Sequence, residues 1–155
     1  MKKLASYIAI IAFFGLTAFE CGDQEDCCVM PPCSEKSSLT GTWRLESYQN
    51  ISTGAEDKDP EPDGKGVVFT FKDDGKEGTI AGHTFVNDIS GNYTLAGGCS
   101  VKITGFGGTK VGEPGWSSKA WLNSNATANF QVSENRFILT FPNATERLVF
   151  KKTQK

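Results

Sequence analysis

The chain has 155 residues, 38% of them apolar and 22% charged, and a net charge of −2. That length suits a single domain. The acidic balance tells against nucleic acid or an anionic membrane surface as an electrostatically attracted partner.

Met1-Lys2-Lys3 opens the chain with positive charge, and an uncharged run of 16 residues, Leu4 to Phe19, follows. A membrane-spanning helix needs roughly 20 apolar residues. The short run behind a basic start therefore reads as a secretory signal peptide over residues 1–20. Cys21 comes two residues after the run. Bacterial lipoproteins place a cysteine there that is acylated and becomes the new N-terminus, and this arrangement resembles theirs. Ala18 and Glu20 stand where such cleavage sites prefer a leucine and a small residue. Lipidation at Cys21, soluble export and an uncleaved anchor all stay open, with lipidation adopted. Each places the protein outside the cytoplasm. The adopted expectation is the outer membrane of a bacterial envelope, on its periplasmic or surface face.

Residues 21–38 read as a polar, cysteine-rich tether. Asp23, Glu25 and Asp26 give it charge and no means to pack a core. If Cys21 carries lipid, the remaining thiols are Cys27, Cys28, Cys33 and Cys99, which allow three pairings. An exported location permits disulfides, and a bond between the adjacent Cys27 and Cys28 would be strained. Pro31 and Pro32 force a bend that lets one of the pair close on Cys33, leaving the other to reach Cys99. Free thiols and a metal site are the alternatives. Zinc sites usually use spaced cysteine pairs, which this stretch lacks, so no metal is expected.

The folded part begins at Leu39. In "LTGTWRLESYQ", Trp43 and Leu45 share one face of an extended strand, and Arg44 and Glu46 share the other. "AEDKDPEPDGKG" is a polar loop. "GVVFTFK" alternates, with Val67, Phe69 and Phe71 on one side. Asp73-Asp74-Gly75-Lys76 is a hairpin turn, and "EGTIAG" a short strand. "GNYTLAG" and "SVKITGF" pair across Gly97-Gly98. After a glycine-rich loop, Trp116 to Asn125 has the spacing of a helix, with Ser117 as its cap. "ATANFQVS", "NRFILTF" and "ERLVFKK" are three closing strands. The expectation is an all-β domain over 39–152 with one short helix, an antiparallel barrel or sandwich of about eight strands. It should be closed or nearly so, because open edges invite pairing with other chains.

The order of these pieces resembles the META domain (HslJ-like) family over Leu39 to Lys152. "LTGTWRLESY", "VVFTFKDDGKEGTIAG", "NDISGNYTL", "GGTK" and the tail from Trp116 to Phe150 carry the likeness. Asn87, Gly91 and Tyr93 match its signature, and Thr109-Lys110 its threonine-basic pair. Members often carry one cysteine just before that asparagine and a second shortly after the threonine-basic pair. Here Val86 and Gly112-Glu113 stand in those places, which makes Cys99 an outlier. The resemblance implies a small barrel-like envelope domain with roles in stress tolerance, and it supplies no catalytic residues. A lipocalin-like domain, which also opens with Gly-x-Trp, is the rival.

Candidate chemistry is sparse. His83 is the sole histidine and has no nucleophile elbow or orienting carboxylate placed by sequence. "GFGGTK" has threonine before lysine, the reverse of a phosphate loop. Asp59, Glu61, Asp63 and Gly64 mimic the start of a calcium loop, but Thr70 stands where the closing glutamate belongs. Asn87, Gly91 and Tyr93 read as turn and packing residues, and Trp43, Trp116 and Trp121 as core or rim. The sequons at Asn50, Asn92, Asn125 and Asn143 matter only in a eukaryotic secretory route.

The sequence is therefore read as a lipid-anchored, non-enzymatic envelope domain. It is expected to use no cofactor, to be a monomer and to bind an envelope protein. Its membrane contact is the N-terminal lipid, and nucleic acid is excluded as a partner. The alternative is a lipocalin-like carrier of a small hydrophobic ligand.

Overall fold

The computed structural model describes Ser34 and residues 37–153, and the expected signal peptide and nearly all of the tether lie outside them. The strands are β1 (Gly41–Asn50), β2 (Glu56–Lys58), β3 (Val68–Asp73), β4 (Glu77–His83), β5 (Asp88–Ala96), β6 (Ser100–Gly108), β7 (Thr127–Val132), β8 (Arg136–Thr140) and β9 (Glu146–Lys152). A single helical turn, α1 (Gly115–Ser118), lies between β6 and β7. The strands form one antiparallel sheet in the order β2-β1-β3-β4-β5-β6-β7-β8-β9, and β1 pairs with β9 to bring the sheet round on itself. The expected all-β, nearly closed architecture is the one observed.

Alternation puts Trp43, Leu45, Phe69, Phe71, Phe137 and Phe150 inside, each no more than 1% exposed. The register shifts between Leu45 and Ser47, so Glu46 is a bulge. That extra residue reverses the pleat, and Tyr48 rather than Ser47 joins the interior. A second bulge between Asn92 and Tyr93 brings Gly91 against β6, where a Cβ would lie 2.5 Å from the Gly105 carbonyl oxygen. Gly91 therefore leaves room for the neighbouring backbone.

The interior is filled by aromatic rings. Trp43, Phe137, Phe150, Phe69, Phe106 and Trp121 make a continuous chain of contacts with centroid separations from 5.0 to 5.9 Å. Tyr93 joins through Phe71, 5.6 Å away. Such pairs add about 0.5–1.5 kcal/mol each beyond their buried area.

Two expectations need correction. There are nine strands, because Glu56–Lys58 pairs with Ser47–Gln49 where a loop was expected. β3 covers β1 only as far as Arg44, and backbone groups beyond it need partners. The chain turns back to supply them, as in the bonds Asn50 N to Ala55 O and Asp59 N to Glu46 O, both 2.8 Å. The helix expected over 116–125 stops at Ser118. The chain then runs alongside β6, with Asn125 N bonded to Ile103 O and Ile103 N to Ala126 O. Ala120 and Leu122 are buried there, and Asn125 adopts a left-handed φ of 66°. Ser117 does not cap the turn. It is buried inside it, and Pro114 holds the cap position without a side-chain bond.

Candidate functional site

The end of the barrel formed by the β4–β5 turn and the β6–β7 connection is tied by Asn87 and Glu113. The Asn87 side chain, 1% exposed, donates to Val111 O (2.9 Å) and to Glu113 Oε2 (2.5 Å). Its Oδ1 accepts from Val111 N (2.7 Å) and from Thr109 Oγ1 (3.1 Å). Thr84 Oγ1, fully buried, donates to Glu113 Oε2 at 2.6 Å, and Ser117 Oγ donates to Glu113 Oε1. Burial alone would raise the Glu113 pKa. Bonds from Ser117, Thr84, Asn87 and the Phe85 amide outweigh it and hold the carboxyl below its ordinary range. The two loops that the resemblance would join by cysteines at Val86 and beside Glu113 are here joined by a carboxylate accepting hydrogen bonds. Sequence reading gave Asn87 a structural part and missed Glu113. The replacement of both cysteine positions was the signal that marked the place.

Trp116 covers the same end. Its ring stacks on Phe85 at 5.7 Å and meets Tyr48 edge-on at 5.0 Å, and its carbonyl accepts from Tyr48 Oη at 3.0 Å. Lys119 Nζ sits 4.4 Å from the centre of the Tyr48 ring and 3.0 Å from both Asp57 and Glu146. One lysine thus links β2, β9 and the α1 segment. At the opposite end, Asp73 Oδ2 accepts from Tyr93 Oη (2.7 Å), Ser38 Oγ (3.0 Å) and Leu39 N (3.0 Å). Trp43 Nε1 donates to Leu39 O at 3.0 Å. The signature residues Asn87, Gly91 and Tyr93 therefore hold a loop knot, a close strand approach and a strand-end bond.

The acidic loop after β2 surrounds a cation of the chain itself. Arg44 donates to Asp59 Oδ2 (2.7 Å), Glu61 O (2.8 Å) and Gly64 O (2.9 Å). A Cβ on Gly66, whose φ is +69°, would fall 2.3 Å from the guanidinium carbon. Of the side chains that suggested a calcium loop, the Asp59 carboxylate meets Arg44, and the backbone carbonyls of Glu61 and Gly64 complete the set. His83 is partly buried, with its Nδ1 3.2 Å from the Thr84 carbonyl oxygen. Lys110 is exposed and separate from any phosphate-loop geometry. Trp43 is interior, while Trp116 and Trp121 are half-buried in the β6–β7 connection. Cys99 is disulfide-bonded. Cys21, Cys27, Cys28 and Cys33 lie outside the described residues.

One concavity that could take a ligand lies on the outside. A groove of about 760 Å³ crosses the outer face of β1 and β9. Ser47 and Val149, opposite each other in register, lie low in it and are 3% and 2% exposed. Arg136, Lys151 and Arg44 form one row across β8, β9 and β1. Asp59 and Pro62 of the loop held by Arg44 also line the groove, as do Asn135 and Arg136 at the start of β8. Among the described residues no cluster of three or more histidine, cysteine or carboxylate side chains could hold a metal.

No family model and no curated protein matches this chain. Two solved structures resemble it. One is the NMR structure of a protein from Burkholderia xenovorans, with a TM-score of 0.59 and 19% identity, covering 86% of this chain and 99% of that one. The other is the crystal structure of a DUF4847 family protein from Bacteroides vulgatus ATCC 8482, with a TM-score of 0.54 and 18% identity, covering 75% of this chain and 94% of that one. At these identities the likeness establishes a shared fold.

Proposed function

We propose that the protein is a lipid-anchored, non-enzymatic domain of the bacterial envelope, of META type, that acts by binding a protein partner on its outer surface. The observation that carries this reading is the filled interior. Aromatic rings pack from Trp43 through to Trp121, and the working surface is then the outside of the barrel. The basic start, the uncharged run and Cys21 support export and anchoring. The carrier reading draws on ring closure, since barrels of about eight strands can hold one small ligand. The same packed rings weigh against it.

Native mass spectrometry of gently purified protein separates the two. The bare chain mass is expected, and a reproducible small-molecule adduct would favour the carrier. Intact mass of the membrane fraction, wild type against Cys21→Ser, tests the anchor. Lipid mass present in the first and lost in the second is expected, and identical masses would remove it. A hydrolase screen whose turnover disappears in His83→Ala would overturn the non-enzymatic reading.

A further inference from the structure

The outer groove carries an imbalance of charge. Four basic side chains on this face, Arg44, Lys58, Arg136 and Lys151, line it, and three carboxylates accompany them. Arg44 is committed to Asp59 at 2.7 Å. Lys58 and Lys151 lie 3.9 and 3.7 Å from Glu56 and Glu46 in exposed pairs, which hold little energy and rearrange readily. Arg136 pairs with no carboxylate among the described residues, whereas Lys152, in register with Trp43, turns its ammonium over that ring, 5.8 Å from the centre. Like charges on directly paired strands repel, and Arg136 stands opposite Lys151 with only the loose Lys151–Glu46 pair to offset the repulsion. The groove carries a net positive charge in a chain whose net charge is −2.

We propose that this groove binds an extended acidic peptide segment of a protein partner, with carboxylates on Arg136 and Lys151 and an aliphatic side chain over Ser47 and Val149. The proposal rests on the binding-domain reading and names the chemistry of its partner. Three features select this occupant. Ser47 and Val149 are short, so the longer cationic side chains around them leave a recess whose lining includes their aliphatic stems. Glu46, Glu56 and Asp59 repel a dense polyanion but tolerate carboxylates spaced along a peptide. The recess is concave, which suits a chain segment better than a bilayer surface.

The test is fluorescence polarisation of a short labelled peptide of glutamates around a central valine, titrated with the full chain. Binding that weakens with salt is expected, together with none for the glutamine version. Arg136→Glu with Lys151→Glu should weaken binding by about tenfold or more, as loss of charged hydrogen bonds implies. Lys102→Glu, exposed on β6, should leave it unchanged. The milder Arg136→Gln should weaken it by about threefold, and thermal melts confirm that each variant is folded. The proposal is overturned if wild type ignores the peptide or if the charge-reversed protein binds as tightly. It also falls if inorganic phosphate or phosphatidylglycerol vesicles bind in the peptide's place. A bare native mass alongside absent peptide binding would reject this occupant and leave the outer-surface reading standing.

Discussion

Replacing Glu113 with alanine should release the loop knot. The carboxylate accepts from Thr84, Asn87, Ser117 and the Phe85 amide, and the three side-chain donors are each at most 1% exposed. Hydrogen bonds to a charged group contribute about 1.5–3 kcal/mol each. The donors keep second partners, however: Thr84 has Asn87 O, Asn87 has Val111 O, and Ser117 has Pro114 O. The losses therefore do not add in full, and the expected cost is about 2–4 kcal/mol. For a domain of this size that lowers the melting temperature by about 8–20 °C. The folded pKa of Glu113 is depressed below its ordinary 4.5. Its contribution is thus complete above that value and is lost as pH falls through the folded pKa. Melting curves by circular dichroism, followed from neutral to acid pH, should show the gap between wild type and variant narrowing in acid. Glu134→Ala, on the β7–β8 turn, is the exposed control and should shift little. A Glu113→Ala melt matching that control at neutral pH would refute the reasoning.

Tyr93→Phe removes one donor from Asp73, a carboxyl held below its ordinary 3.8 because bonds from Tyr93, Ser38 and backbone amides outweigh burial. It should cost about 1 kcal/mol at neutral pH. The cost should fade as pH drops through the Asp73 pKa in urea titrations, and a pH-independent cost would reject the assignment. Gly78→Ala puts a Cβ 2.3 Å from the Tyr93 ring and 2.6 Å from the Lys72 carbonyl oxygen. Overpacking of that kind costs about 1–3 kcal/mol, measurable in the same titrations. Arg44→Lys keeps the charge but loses the fork that reaches Asp59, Glu61 and Gly64 together. Tryptic cleavage after Lys65 should accelerate, and an unchanged cleavage rate would show that the loop does not depend on the guanidinium.

How much of this was legible in the sequence differs from element to element. Strict alternation through Trp43-Leu45 and Val67-Phe69-Phe71 marked the inner faces, because over those residues only one side is fully buried. The Asp73–Lys76 turn was legible too, since Gly75 takes a φ of +88° and Asp74 Oδ1 accepts from the Lys76 and Glu77 amides. β2 was not. All three of its residues are exposed, and it exists because β1 is longer than β3, a fact of topology. The segment after Ser118 misled because Trp116 and Ala120 are spaced by one helical turn. Their burial comes instead from capping the barrel end, and the asparagines at 123 and 125 favour turns. Glu113 gave no pattern of its own, being a lone acid between glycine and proline, and only the two replaced cysteine positions pointed to its loop.

The calcium-like loop shows how a near motif can be read the wrong way round. Asp59, Glu61 and Gly64 do turn oxygens toward a positive charge, so the composition was informative about electrostatics. The charge is covalently supplied by β1, which fixes the loop as a wall of the outer groove. That arrangement has a consequence for binding. Arg44 spends its hydrogen bonds on the loop and helps to shape the groove, whereas Arg136 keeps its own for an incoming group, beside Lys151 in register. Shape and charge are thus carried by different residues. A substitution at Arg44 should therefore alter how the acidic peptide fits, through the loop, more than its dependence on salt. Substitutions at Arg136 and Lys151 should act on the salt dependence directly.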